Sequence, residues 1–332
     1  MSIRIIGTGS YIPEKILTNH DLEKMVDTTD DWITTRTGIR ERHIAAPGDF
    51  TSDLAARAAQ RALEMAGITA EQLDLISVAT VTPDTVFPSA ACVVQRKIGA
   101  VNAACYDLVA ACTGLIYSLE VAYSLLKASP AKYRYALVLG GDKLSSIVDW
   151  SDRSTCILFG DGASAVVLKN DPSDTTGPDF IAASKIGANG NYGSLLTMPA
   201  GGSAMPASHE TVDQRLHYIK MAGKEVFKLA VNGMADSCRT VMENAGVRAD
   251  QIAWVIPHQA NKRIISAAAQ RLDLPLERIY VNIERIGNTS AASIGICLDE
   301  LNRAGKLKSG DYILTTAFGG GLTWGAMLIR WT

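Results

Sequence analysis

The sequence predicts an α/β protein made of two similar halves, and three features support this fold class. Short continuous apolar runs, typical of strands buried on both faces, alternate with amphipathic helical patterns such as residues 53–66. A segment of the first half recurs in the second half. The chain has 332 residues, which suits about two domains. We therefore expect two pseudo-symmetric strand-and-helix units related by duplication.

The composition is that of a globular protein, with 47% hydrophobic and 20% charged residues. The net charge of −2 gives no support to a nucleic-acid partner. Apolar windows fall short of about 18 residues, and the N-terminus lacks a signal-peptide pattern. The six cysteines are scattered without a Cys-x-x-Cys pair. We expect a cytoplasmic protein with reduced thiols, no membrane insertion and no metal site.

The repeated segment reads LEMAGITAEQL at residues 63–73 and MENAGVRADQI at residues 242–252. Nine of the eleven aligned positions are identical or conservatively replaced. Each copy predicts a helix end, a glycine stop, a short turn and then a buried strand.

Two weaker pairs of similar segments extend the repeat toward the C-terminal end of each half. Residues 135–139 correspond to residues 312–316, and residues 165–169 correspond to residues 326–330. The sequence separation between the two copies is smaller for the second pair of segments than for the first pair. We therefore expect about 16 extra residues in the first half, roughly at residues 143–159.

The join between the halves is predicted at residues 170–178, where Asp, Pro, Ser, Thr and Gly cluster. This gives an N-terminal half of residues 1–172 and a C-terminal half of residues 173–332. Residues 188–212, rich in Gly, Ser and Pro, are predicted to form a long loop.

Cys112 is the first candidate catalytic residue, because a run of small residues brings it to the start of a predicted helix that reaches about Lys127. A thiol at a helix N-terminus feels the positive end of the dipole, so we expect a lowered pKa. A buried structural cysteine is the alternative for any single cysteine. That alternative is kept for Cys92, Cys105, Cys156, Cys238 and Cys297.

Two further residues are candidates to act together with Cys112 in catalysis. His258 directly follows the apolar run 253–256, and Asn288 lies in a loop that enters a helix. An alignment of the two halves that places Cys112 on Asn288 predicts that the two lie at matching helix starts. Alone, the histidine suits a core or loop position and the asparagine a helix cap.

A run of glycines follows the last apolar stretches, in the segment 317–325. Such a run lets the backbone approach a ligand and point N–H groups at it, and a tight turn between two strands is equally possible. The N-terminal Gly7-x-Gly9 lacks the third glycine of a dinucleotide fingerprint.

Over nearly the whole chain, the sequence resembles the beta-ketoacyl-acyl-carrier-protein synthase III family of the thiolase-like superfamily. The resemblance rests on blocks in the family's order: Asp31-Trp32-Ile33-x-x-Arg36-Thr37-Gly38-Ile39, Phe87-Pro88-Ser89-Ala90-Ala91-Cys92, the Cys112 segment, Phe159-Gly160-Asp161-Gly162-Ala163, Pro257-His258-Gln259-Ala260-Asn261, Gly287-Asn288-Thr289-Ser290 and Phe318-Gly319-Gly320-Gly321. It implies a thiolase-like fold of five αβαβα layers and a homodimer. The chain departs at Thr113, where the family has a smaller residue, which puts the pocket shape in question.

The resemblance implies an acyltransferase that condenses a short acyl-CoA primer, such as acetyl-CoA, with malonyl-acyl carrier protein and so initiates fatty acid synthesis. Cys112 is implied as the acylated nucleophile, with His258 and Asn288 as the decarboxylation pair. The backbone N–H groups of Cys112 and Gly320 are implied as the oxyanion hole. Acyl-CoA is a substrate in this scheme, and no bound cofactor is expected.

The resemblance also implies binding residues. Trp32 and Arg153 are implied to sandwich the adenine of CoA, with Arg36 nearby. Asn261 is implied to line the pantetheine tunnel, and Phe87 to limit primer length from the partner subunit.

Carrier proteins are generally acidic, so basic helix faces are candidate docking sites. Lys220, Lys224 and Lys228 recur every four residues and are predicted to share a helix face. Arg263 and Arg271 add a second basic stretch, and Arg263 matches the family's docking position. A solvated surface is the structural alternative for these residues.

Three alternative functions differ from this one in the residues they require. A degradative thiolase needs a second catalytic cysteine in the glycine segment, and residues 317–325 contain none. A synthase-III relative of secondary metabolism would use another acyl group or nucleophile, which the retained His258 and Asn288 do not exclude. A non-catalytic acyl-binding or scaffold protein would not need the three candidate catalytic residues.

Overall fold

The computed structural model describes residues 2–174 and 177–332. The strands are β1 (Ser2–Tyr11), β2 (Lys15–Thr18), β3 (Glu41–Ile44), β4 (Leu75–Ala79), β5 (Ala104–Leu108), β6 (Tyr135–Asp142), β7 (Gly162–Asp171), β8 (Ile181–Ala188), β9 (Leu196–Thr197), β10 (Lys220–Met221), β11 (Ile252–Pro257), β12 (Tyr312–Gly319) and β13 (Thr323–Arg330). The α-helices are α1 (Asn19–Leu22), α2 (Asp30–Thr37), α3 (Thr51–Ala66), α4 (Ala90–Ile98), α5 (Gly114–Ala128), α6 (His209–Asp213), α7 (Gly223–Ala245), α8 (Lys262–Arg271), α9 (Ile283–Ile286) and α10 (Ala292–Arg303).

Two large sheets share one strand order. The first sheet runs β1-β7-β6-β4-β5, and the second runs β8-β13-β12-β11. The pairs β4–β6 and β11–β12 are parallel, whereas β1–β7 and β8–β13 are antiparallel. Where the first sheet continues to β5, the described part of the second shows a parallel bridge between Val255 and Ile279. The predicted α/β duplication is confirmed.

Helices separate and cover the two sheets. The outer face of the first sheet packs on α3 and α4, and the outer face of the second packs on α7. Between the sheets lie α5 and α10, whose Leu115 and Ile294 share a core with Ile3 of the first sheet and Ile313 of the second. The five αβαβα layers implied by the resemblance are therefore present.

The repeated segment forms the same structure twice. Gly67 and Gly246 end α3 and α7 in the left-handed region, with φ of 65° and 64°. Gln72 and Gln251 then each accept the backbone N–H of the residue three positions earlier, at 2.9 Å. The side chains that recur in the sequence are thus those that stop a helix and close the turn before a strand.

The predicted insertion also appears. The connection between β6 and β7 runs from residue 143 to residue 161, whereas the equivalent connection between β12 and β13 runs only from residue 320 to residue 322. The first half is therefore longer here by about 16 residues, as the drop in repeat offset predicted.

Lys220 lies in a strand and does not belong to the predicted helix of Lys224 and Lys228. It pairs with Thr197 in the β9–β10 ladder before α7 begins at Gly223. The three lysines therefore do not share one helix face, and the prediction is wrong for Lys220.

The connecting segments differ in part from the sequence prediction. Residues 188–212, predicted as one long loop, include the short strand β9 and the start of α6. The predicted join at residues 170–178 includes Thr175 and Thr176, which lie outside the described residues. In the described parts of the chain, every helix is too short or too polar to span a bilayer.

Candidate active site

The three candidate catalytic residues come from separate elements and line one cavity. Cys112 lies in a 3₁₀ turn between β5 and α5, His258 directly follows β11, and Asn288 lies between α9 and α10. All three line a cavity of about 550 Å³. Its walls are mainly apolar and include Leu196 and Phe318. This arrangement suits a narrow acyl chain that enters from the surface.

The turn that carries Cys112 is held in an unusual backbone conformation. Ala111 has a φ of 48°, in the left-handed region that residues with a Cβ rarely adopt. The Thr113 hydroxyl donates to the Ala110 carbonyl at 2.7 Å, and the Thr323 hydroxyl donates to the same carbonyl at 3.1 Å. Thr113 is fully buried in this bonding and is not among the residues that line the cavity.

The glycine segment forms a tight turn between β12 and β13 and lies against the Cys112 turn. A Cβ on Gly319 would lie 2.8 Å from the backbone nitrogen of Cys112 and 3.1 Å from the Ala110 oxygen. Only glycine permits this close approach. The segment is therefore a turn between two strands, one of its two predicted roles, and it packs against the Cys112 turn. The other role, N–H groups pointed at a ligand, stays a prediction.

The thiol of Cys112 differs electrostatically from the sequence prediction. Burial raises its pKa to about 12, against a smaller opposing effect of hydrogen bonding by Ser290. The expected lowering by a helix start is therefore wrong for the free protein. The loss of hydration around a buried sulfur outweighs the favourable dipole.

The imidazole of His258 is buried and neutral. Burial lowers its pKa to about 3. Its Nδ1 lies 2.7 Å from the Ser293 hydroxyl on α10. With that hydroxyl donating to Nδ1, the ring proton resides on Nε2 as a hydrogen-bond donor. Sequence reasoning missed Ser293, although it lies in the same loop-and-helix segment as Asn288.

The Asn288 side chain is oriented by its own loop. Its Oδ1 accepts the Ser290 N–H at 2.9 Å, which leaves the Nδ2 group as donor. Its backbone N–H donates to the Leu158 carbonyl at 2.9 Å, which ties this loop to the insertion.

Cys112 and Asn288 precede α5 and α10, the two helices between the sheets, as predicted, but they are not equivalent positions of the two halves. The left-handed residues of the two loops are Ala111 and Ser290, with φ of 48° and 50°. These two residues are related by the same offset as the strongest repeat, in which residue 63 aligns with residue 242. The predicted equivalence is therefore wrong by three positions.

Two cations stack on an aromatic ring at the mouth of the cavity. The guanidinium carbons of Arg36 and Arg153 lie 4.8 and 5.0 Å from the Trp32 ring centroid. Trp32 and Arg36 line the cavity. Arg153 belongs to the insertion and donates to the Asp27 carbonyl at 2.7 Å. A planar aromatic group could replace either guanidinium on the indole.

Asn261 joins two parts of this mouth. It caps α8, with Oδ1 accepting the Arg263 N–H at 2.8 Å, and its Nδ2 donates to the Arg36 carbonyl at 3.0 Å. Arg263 is exposed at the rim, with its guanidinium 5.7 Å from the Phe227 ring. Lys228 and Arg271 are exposed farther out on α7 and α8.

Phe87 does not reach the cavity of its own chain. Its side chain is 83% exposed, and it lies in the segment before α4, the helix that packs on the edge strand β5. In the single chain, all candidate catalytic residues therefore line the cavity, whereas Phe87, the candidate primer-pocket residue, lies outside it. Among the described residues, no group of three or more His, Cys, Asp or Glu side chains is placed to hold a metal ion.

Comparisons with known proteins find relatives of this chain in one family. Residues 106–190 match the family model described as 3-oxoacyl-[acyl-carrier-protein (ACP)] synthase III, and residues 242–331 match the model of its C-terminal part. The beta-ketoacyl-[acyl-carrier-protein] synthase III of Caldanaerobacter subterraneus subsp. tengcongensis is 55% identical over 328 residues, which cover 99% of this chain and 97% of the relative.

Solved structures share the fold. The 3-oxoacyl-[acyl-carrier-protein] synthase III from Aquifex aeolicus VF5 is 48% identical with a TM-score of 0.90, covering 99% of this chain and 100% of that one. The corresponding synthase from Pseudomonas aeruginosa PAO1 is 42% identical with a TM-score of 0.89, covering 100% of this chain and 98% of that one.

Proposed function

The chain belongs to the beta-ketoacyl-[acyl-carrier-protein] synthase III family, and we propose that it condenses a short acyl-CoA primer, such as acetyl-CoA, with malonyl-acyl carrier protein. The enzyme is an acyltransferase, and its 3-oxoacyl-acyl carrier protein product initiates fatty acid synthesis. One observation carries the proposal: Cys112, His258 and Asn288 line the same cavity. Trp32 and Arg36 lie at the mouth of that cavity.

In the first step the primer is transferred to the enzyme. The Cys112 sulfur attacks the thioester carbonyl, the bond from that carbon to the CoA sulfur breaks, and CoA leaves as a thiol. The transient oxyanion needs N–H donors that are already in place. We assign these to the backbone of Cys112 and Gly320, supported by the packing of the glycine turn against the Cys112 nitrogen.

In the second step the malonyl group loses CO₂, and the electrons of the broken bond form an enolate. The His258 Nε2–H and the Asn288 amide donate to the enolate oxygen, and the enolate carbon attacks the acyl-Cys112 carbonyl. The bond from that carbonyl carbon to the Cys112 sulfur breaks, and the departing thiolate takes up a proton from solvent to restore the free thiol. A neutral imidazole suits this role because it donates without requiring a buried charge. Since decarboxylation itself supplies the carbanion, the proposed reaction uses no metal and no bound cofactor.

The rim residues suit the two substrates. We assign the adenine of CoA to the Trp32 ring, between the indole and the Arg153 guanidinium, with Arg36 and Asn261 along the entrance. Arg263, with Lys228 and Arg271 behind it, offers positive charge to an acidic carrier protein. The six cysteines are all free, which supports a reducing, cytoplasmic location.

The edge strand β5 supports a homodimer. Four apolar side chains in the segments that flank α4 and β5 are 74–89% exposed: Val86, Phe87, Val101 and Val109. An exposed apolar edge strand is a template for pairing with another chain. Pairing of β5 with a second copy would cover this surface and bring Phe87 toward the partner's cavity, where it would limit primer length.

A panel of acyl-CoA primers tests the proposal by intact mass. Acetyl-CoA and other short straight primers are expected to add one acyl group to the enzyme, and the Cys112→Ser variant is expected to lose the labelled species. Persistence of label in that variant would contradict the assignment of Cys112. Acylation by long or aromatic primers alone would indicate the secondary-metabolism alternative.

A further inference from the structure

A fully buried arginine packs against the loop that carries Asn288. Arg42 lies in β3 and has no exposed surface. Its guanidinium donates to the backbone carbonyls of Leu17 and Ile157 at 3.1 and 2.8 Å, and to the side-chain oxygen of Asn19 at 2.9 Å. One side chain therefore joins the strand β2, the start of α1 and the insertion.

The three hydrogen-bond acceptors of Arg42 carry no formal charge. Burial lowers the pKa of the guanidinium to about 10, so the group stays charged at neutral pH. Buried charges in proteins are usually paired with an opposite charge, and a cation bonded to neutral oxygens instead costs stability. Such a cost is typical of functional sites, so this arginine calls for a functional explanation.

The carbonyl that Arg42 binds in the insertion belongs to residues 157–160, which also bond to the main chain of Asn288. This segment forms part of the cavity wall. The Asn288 N–H donates to the Leu158 carbonyl at 2.9 Å, and the Asn288 carbonyl accepts the Gly160 N–H at 2.9 Å. Arg42 therefore holds the same short segment that fixes the main chain of Asn288.

Arg42 also packs on the residue directly before Asn288. A Cβ on Gly287 would lie 2.9 Å from the Arg42 Cβ, and a Cβ on Gly160 would lie 3.1 Å from it. Contacts this close leave no room for a side chain at Gly287 and little at Gly160. Arg42 therefore touches both the start of the Asn288 loop and the segment to which that loop is bonded.

The nucleophile is held by a different set of contacts. The Cys112 turn is bonded through the hydroxyls of Thr113 and Thr323 and lies against Gly319. Displacement of the Asn288 loop is therefore expected to move the amide that donates to the enolate oxygen while the Cys112 sulfur stays in place. A shift of about 1 Å in such a group can lower a rate by about 10²-fold.

We propose that Arg42 positions Asn288 for the loss of CO₂ from the malonyl group, by fixing residues 157–160 against the Asn288 loop. Arg42 is not among the residues that line the cavity, so it acts through Asn288 and is a positioning residue. Acylation of Cys112 by the primer does not use the Asn288 amide, so Arg42 serves the second half-reaction only. This inference rests on the proposed function.

Measuring the two half-reactions separately tests the proposal. Arg42→Lys shortens the side chain and keeps its charge, whereas Arg42→Gln shortens it further and removes the charge. Release of CO₂ from malonyl-acyl carrier protein by the acylated enzyme is expected to fall by about 10-fold in the first variant and about 10²-fold in the second, because the donor is misplaced. Single-turnover acylation by acetyl-CoA, followed by intact mass, is expected to stay within about twofold of the wild-type rate in both.

A double variant separates positioning from a merely structural role. If Arg42 acts through Asn288, Arg42→Gln causes no further loss of CO₂ release in an Asn288→Ala background, whereas independent effects would multiply. Arg57→Lys is the matched control, because Arg57 lies on α3, outside the cavity, and binds Asp49 at 2.8 and 2.9 Å. It is expected to leave both half-reactions at the wild-type rate.

The proposal is overturned if Arg42→Gln slows both half-reactions equally, releases CO₂ at the wild-type rate, or adds its full loss to that of Asn288→Ala. Thermal unfolding reports whether each variant is folded, and Arg42→Lys supplies the same comparisons if Arg42→Gln is not. A wild-type enzyme that neither becomes acylated nor releases CO₂ would instead overturn the proposed function.

Discussion

His258 and Asn288 place two neutral donors on one cavity, and their loss should separate the two half-reactions. His258→Ala and Asn288→Ala are expected to keep acylation of Cys112 by the primer. Release of CO₂ from malonyl-acyl carrier protein should fall by about 10²- to 10³-fold in each, because one enolate donor is lost. Labelled malonyl substrate measures this release. Unchanged release in both variants would show that the two donors have another role.

The buried imidazole should also link stability to pH. Burial lowers the pKa of His258 from 6.5 to about 3, so the unfolded chain binds the proton more tightly than the folded chain between these values. Stability is therefore lost as pH falls below about 6.5. His258→Gln should reduce the loss between pH 7 and pH 5 by about 2 kcal/mol, in denaturant unfolding at each pH. Equal losses in both proteins would exclude a proton-linked cost at this residue.

At the scale of single residues, local patterns could identify candidates but not their environments. His258 directly follows an apolar run, and Cys112 and Asn288 each precede a predicted helix, which the sequence displays. The Ser293 contact with His258 joins residues 35 positions apart. The raised pKa of Cys112 depends on burial by several distant elements, so a local dipole argument predicted the wrong direction.

At the scale of elements, the β12–β13 turn lies close to the nucleophile because Gly319 has no side chain. Gly319→Ala is expected to displace the Cys112 turn, because the added Cβ would lie 2.8 Å from the Cys112 nitrogen. Acylation should slow, and stability should fall by about 1–3 kcal/mol from overpacking. Thermal unfolding and intact-mass acylation measure the two effects.

Gly190→Ala is the matched control for that substitution, since a Cβ at Gly190 meets no atom within 4 Å. It should leave both measurements near the wild-type values. If Gly319→Ala behaves like the control, the close approach of the two turns does not constrain the nucleophile.

Element boundaries were predictable where the signal is local or repeated. Gly67 and Gly246 end their helices as the repeat predicted, and the extra length of the β6–β7 connection followed from repeat spacing alone. Lys220 was misplaced because its strand is created by pairing with Thr197, which is distant along the chain. A regular local spacing of lysines cannot report such a non-local contact.

At the scale of the whole molecule, the exposed edge of β5 predicts the assembly state. Val101→Lys combined with Val109→Lys is expected to yield a monomer, because two buried charges would oppose pairing of the edge strands. Sedimentation velocity measures the change. Leu276→Lys, an equally simple replacement of an exposed apolar residue in the second half, should remain dimeric. A dimeric double variant would place the interface elsewhere.

The second sheet's missing fifth strand has a consequence for assembly. If both duplicated units had such an unpaired edge strand, each molecule could pair with other copies at two sheet edges. Copies could then add end to end without limit. In the described residues of the second unit, a bridge between Val255 and Ile279 stands where the first unit has β5. A dimer paired through β5 would therefore have no equivalent β5 edge in the second unit through which a third copy could pair in the same way.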